Sequence, residues 1–132
     1  MPHVVNRSAF LAARGCGHVL LTAYGLLVAT ELGLKDHSGA WGKSHDVPQM
    51  LDDIGDPGLT ALGTALRTAL AAIPCTDIRG NPASVPGHKY PHLRYARHAN
   101  DHAGGTTDAH LRSLVQTVDD IIVQLRAKGV AV

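Results

Sequence analysis

The chain has 132 residues, of which 45% are apolar and 17% charged, with 12 Lys and Arg against 11 Asp and Glu. That is enough for one domain with one core. It excludes a globally disordered chain, and it leaves no net field that would draw the whole molecule onto nucleic acid or an anionic membrane. Only 3 Tyr, 1 Trp and 1 Phe accompany abundant Ala and Leu, which suits helices and argues against an all-β sandwich.

The first element predicted is a long helix, capped by Asn6 or Ser8 and stopped near Gly33. Its second half, from Val19 onward, is apolar on nearly every side. Its most apolar stretch, Val19 to Thr30, is too short to span a bilayer, and the N-terminus lacks a signal peptide's order of regions. The expected location is therefore the cytoplasm. Lys35 to Ser44 is polar and glycine-rich and reads as a loop. Ser44, Asp46 and Pro48 signal the start of a short helix to Ile54. Asp56 before Pro57 caps the next helix, whose stripe is Leu59, Leu62, Leu66, Leu70 and Ile73, and Pro74 stops it.

Cys75 to Gly87 reads as a loop, and Tyr90 to about Asp101 as a short helix ended by Gly104 and Gly105. Thr106, Thr107 or Asp108 opens a final helix to about Lys128, with the stripe Leu111, Leu114, Val115, Val118, Ile121, Ile122 and Leu125. The expectation is a single all-α domain over 1–132, with a core of about 7–128, folded as a four-to-five-helix bundle. The apolar first helix leaves surface for a partner, and a homodimer is the natural expectation. Cys16 and Cys75 have no metal-site spacing and read as two buried thiols.

Histidine is unusually frequent, at 9 residues. Four of them, His88, His92, His98 and His102, fall within the run HKYPHLRYARHANDH, together with Lys89, Arg94 and Arg97. His88 and His92, and likewise His98 and His102, are spaced for chelation on a helix. Against a metal stand Pro91, which disturbs the first pair, and three neighbouring cations with only Asp101 opposing them. No cofactor is implied. Phosphate chemistry fits better. Arginine is a permanently charged fork for phosphate oxygens, and histidine moves protons at neutral pH. RNA cleavage needs a base for the 2′-OH, an acid for the leaving 5′-oxygen and a cation at the phosphorane, but no metal.

The run Arg97-His98-Ala99-Asn100-Asp101-His102 resembles the signature of HEPN domains: Arg, a polar residue, three more residues, then His. Its place ahead of the final amphipathic helix of a small all-α chain resembles that family as well. The resemblance covers about residues 7 to 128. It implies a HEPN-like fold and a metal-independent endoribonuclease, often a toxin or defence effector, with its site at a dimer interface. Carried onto this chain, Arg97 steadies the phosphorane, His102 is the acid or base, and His98 orients or assists. Arg94, Lys89 and His92 contact substrate. RNA, a second copy and a cognate antitoxin or defence partner are the implied partners; a membrane is not. Where toxin members carry a Tyr shortly after the motif His, this chain has Ala103-Gly104-Gly105.

On one straight helix Arg97 and His102 would point about 140° apart, whereas Arg94, His98 and His102 share a face. The site therefore needs a helix break or a second chain. Two other function classes remain open from sequence: a non-catalytic helical interaction module, and a His-rich metal-binding bundle. The remaining histidines have plainer readings, with His45 a neighbour of a helix cap and His18 a core or interface residue. Tyr90 and Tyr95 are expected to pack against the bundle.

Overall fold

The computed structural model describes residues 2–41, 44–76, 79, 81–95 and 106–132, and the side chains of 7–41, 44–74, 79, 81–93 and 109–132. Among the described residues it is mostly helical, as the composition predicts. The α-helices are α1 (Pro2–Leu11), α2 (Val19–Ser38), α3 (Val47–Asp53), α4 (Pro57–Ala71) and α5 (Thr106–Ala127). Short 3₁₀ segments cover Ala12–Gly15 and Tyr90–Tyr95.

The predicted first helix is in fact two. Gly17 adopts a left-handed φ of 76°, which breaks the chain between α1 and α2. Thr22 Oγ1 then donates to the carbonyls of Ala13 and His18 and closes the corner. α1 folds back along α2 at Gly25, where a Cβ would stand 2.8 Å from the Phe10 carbonyl oxygen. Cys16 lies in this corner as a free, exposed thiol rather than a buried one, because the turn carries it off every helix face. His18 is exposed there too, and is not a core residue.

α2 also continues past Gly33, its predicted stop, into the first four residues of the segment read as a loop, and ends at Gly39 with φ 71°. Gly33 serves close packing. A Cβ there would stand 2.7 Å from the Ala131 carbonyl oxygen, so the bare backbone lets the C-terminal tail lie against α2. That tail turns back at Gly129, φ 81°, with the Val130 N–H donating to the Leu125 carbonyl at 2.9 Å.

The caps predicted at Asp46 and Asp56 form, whereas Asn6 and Ser8, predicted to cap the first helix, lie inside α1, which already starts at Pro2. Asp46 Oδ1 accepts from the Gln49 N–H, and Asp56 Oδ1 from the Leu59 N–H, each at 3.0 Å. The apolar stripes face inward. Leu59, Leu66, Leu70 and Ile73 meet Leu111, Leu114, Val118 and Ile121 in one core that also takes Leu26 and Leu27 of α2. Leu62 and Val115 are only partly buried, at its edge. The predicted loop after Pro74 contains a small hairpin, β1 (Pro74–Thr76) antiparallel to β2 (Pro82–Ser84), with Cys75 opposite Ala83. Three-residue strands are too short to leave an alternating pattern in sequence. Among the described residues, no helix is long and apolar enough to cross a membrane.

Candidate functional site

The chemistry-bearing group that the structure brings together is centred on Glu31, in the second half of α2. Its side chain is 7% exposed and meets two hydrogen-bond donors and one ion-pair partner. Oε1 receives His45 Nδ1 at 2.5 Å and Lys35 Nζ at 3.3 Å. Oε2 receives the Tyr90 hydroxyl at 2.7 Å. A carboxylate out of water is costly unless its lone pairs are met and its charge is balanced. Here Lys35, one turn along the same helix, supplies the balancing charge, and the other two donors come from distant parts of the chain.

Local structure explains how the parts arrive. α2 presents Glu31 and Lys35 on one face because they are four residues apart. Asp46 fixes the start of α3 and so sets the loop residue just before it, His45. Tyr90 opens the second 3₁₀ segment, is itself buried, and packs its ring edge-on against Tyr24 at 5.8 Å between centroids. The His45 and Tyr90 rings also meet edge-on, at 6.2 Å. Because a carboxylate only accepts, Nδ1 of His45 is the donor to Glu31. The His45 side chain is 53% exposed, so one edge of the ring is fixed by a buried anion while the ring remains reachable.

A cleft of about 520 Å³ opens beside this group, between the end of α2 and α3. Leu34 and Met50 line its apolar part and Lys35, Ser44, Asp46 and Gln49 its polar part. His45 stands in sequence between two of these lining residues.

Of the site residues predicted from sequence, Lys89 and His92 are exposed on either side of Tyr90, with the His92 N–H donating to the Lys89 carbonyl at 3.0 Å. Arg97, His98 and His102 lie outside the described residues, as does the side chain of Arg94. Tyr90 packs into the bundle as expected. Among the described residues, no three His, Cys, Asp or Glu side chains gather closely enough to hold a metal ion.

Sequence reasoning passed over two members of the cluster. Glu31 sits just past the most apolar stretch, Val19 to Thr30, of a helix that reads as apolar on nearly every side, and His45 reads as a helix-cap neighbour. The available signal was Glu31 with Lys35 at i,i+4 within a helix otherwise destined for the core, since buried charges need partners. Compared with protein-family models, curated proteins and solved structures, the chain gives no match.

Proposed function

We propose that the protein is a HEPN-like, metal-independent endoribonuclease that works as a homodimer. The observation supporting this reading is the Glu31 cluster. It ties the start of the His- and Arg-rich run, through the Tyr90 hydroxyl, to a buried carboxylate in the central helix. Buried Leu93 adds an apolar anchor one turn later. The fold thus fastens the chain seven residues before Arg97, the beginning of the motif that resembles an active site.

In this reading the ribose 2′-oxygen attacks the adjacent phosphorus, and the bond to the 5′-oxygen breaks. Arg97 pairs with the phosphorane oxygens, where a planar permanent cation is worth most. His102 exchanges the proton and His98 assists it. Arg94, Lys89 and His92 hold flanking phosphates. Two protomers bring Arg97 and His102 together, which overcomes their divergence on one helix.

The test is cleavage of a mixed-sequence RNA by wild type, Arg97→Ala and His102→Ala. Each variant should lose about 10²- to 10⁴-fold in rate while melting like wild type. Mixing the two variants should restore part of the activity, because one site in a mixed dimer would keep both groups. Unchanged cleavage in both variants would overturn the reading.

A further inference from the structure

We propose that the cleft between the end of α2 and α3 binds an aliphatic diamine or polyamine, with ammonium groups on Asp46 and Asp53 and methylenes over Met50. The cleft has a volume of about 520 Å³, the size of a small-molecule site. Leu34, Met50 and Ile54 form its apolar wall, and Asp46 and Asp53 are its acidic groups. Each carboxylate has an oxygen to spare. Asp46 Oδ1 accepts from the Gln49 N–H at 3.0 Å and Asp53 Oδ1 from Gln49 Nε2 at 2.9 Å, and among the described residues neither carboxylate has a cation partner. By contrast, Glu31, Asp36, Asp52, Asp56 and Asp119 are each ion-paired. The carboxylates of the cleft are thus left for a cation from outside the chain.

Spacing selects the kind of cation. Asp46 is the N-cap of α3 and Asp53 its last residue. Two turns of helix put them on one face, about 10 Å apart along the axis. Carboxylates so separated cannot share one metal ion, whose oxygen ligands stand about 2–2.6 Å from it. A linear diamine with seven or so carbons between its nitrogens matches the span. Met50 lies between the two carboxylates on the same face of α3, one turn from each. Its partly buried side chain, with Leu34 across the cleft, offers the methylenes an apolar bed that a metal ion would not use. Charge agrees with this ligand. Lys35 also lines the cleft but is paired with buried Glu31, which leaves His37 as the one other basic group of the lining against two unpaired carboxylates. The C-terminal end of α2 adds its partial negative charge. None of the residues assigned to RNA cleavage lines the cleft, so a failure here leaves that reading untouched.

The experiment is a calorimetric titration of the full chain, at fixed ionic strength, with the linear seven-carbon diamine, spermidine, the three-carbon diamine and heptylamine. It is repeated on Asp46→Asn, Asp53→Asn, the double variant and Asp120→Asn. Asn keeps the α3 cap at position 46 and an acceptor for Gln49 at position 53, so the variants lose charge rather than structure, and melts matching wild type check this. The seven-carbon diamine and spermidine should bind wild type saturably, about tenfold tighter than the short diamine or the monoamine. Each Asn substitution should weaken the seven-carbon diamine about 3- to 10-fold, and the double variant should hold it no better than heptylamine. The Asp120 carboxylate also lacks a cation partner but accepts from Gln116 on α5, outside the cleft, so Asp120→Asn should bind as wild type does. Absence of saturable binding to wild type would overturn the assignment, as would equal affinity for the long and short diamines, a comparison that needs no variant. Wild-type affinity in the double variant, an equal loss in Asp120→Asn, or displacement of the diamine by an equal concentration of magnesium would overturn it too.

Discussion

The α4–α5 side of the bundle and the Glu31 end of α2 are held by opposite means. Between α4 and α5 the contact is a pair of apolar stripes, with Leu66, Leu70, Leu114 and Ile121 all fully buried. Any one contact there can be weakened without orphaning another group. At Glu31 three donors converge on one carboxylate. Removing the carboxylate leaves Lys35 buried with an unpaired charge and the Tyr90 hydroxyl without its acceptor. Apolar packing degrades by degrees, whereas a buried polar cluster is sound only when complete.

Four single substitutions, with the changes that should rescue two of them, and one pH profile sharpen that contrast. Glu31→Ala should cost the most, about 3–5 kcal/mol by chemical denaturation, as one-sided losses from buried ion pairs do. Combining Glu31→Leu with Lys35→Met and Tyr90→Phe should return most of that loss, because no buried partner is then orphaned and the half-exposed His45 can turn to water. If the triple variant is no better than Glu31→Ala, the contrast breaks. Leu114→Ala should cost about 2–5 kcal/mol, with no partner change able to return it.

Gly33→Ala should cost about 1–3 kcal/mol despite alanine's better helix propensity, since its Cβ meets the Ala131 carbonyl. Removing Ala131 and Val132 should relieve it. His45→Ala should cost less than the loss of Glu31, about 1 kcal/mol in a melt, because water reaching the half-exposed position can meet the Glu31 lone pair that His45 leaves.

The smallest effect concerns Asp56 at the start of α4. Lys128 Nζ, 2.6 Å away, together with the Leu59 N–H, holds its carboxyl below the ordinary value of 3.8. A depressed carboxyl contributes stability that is present above its unfolded pKa and lost as pH falls through the folded one. Asp56→Asn keeps the helix cap but should flatten this part of the acid dependence. Thermal melts from neutral pH to about pH 3 would show it.

The same contrast explains what could be read from sequence. The stripes of α4 and α5 are periodic over many residues, and the Asp46 and Asp56 caps are local, so both were legible. Gly33 was misread because glycine looks the same whether it ends a helix or admits a distant backbone, and Ala131 is far along the chain. The corner at Gly17 carried a signal, the pair Gly15 and Gly17, which the longer apolar pattern from Val19 onward outweighed. The pairing of Glu31 with His45 and Tyr90 joins residues 14 and 59 positions apart, a distance that no local pattern spans. The motif from Arg97 to His102 was legible only as a resemblance, for its roles depend on convergence in space.

The central claim is metal-free cleavage by ribose 2′-oxygen attack. The measurement that tests it most directly is incubation of a mixed-sequence RNA, and of the same sequence in DNA, with the protein in EDTA, followed by analysis of the new termini. The account predicts that RNA alone is cut, leaving 2′,3′-cyclic phosphate and 5′-hydroxyl ends. Intact RNA, equal cutting of DNA, or cutting that EDTA abolishes would contradict it.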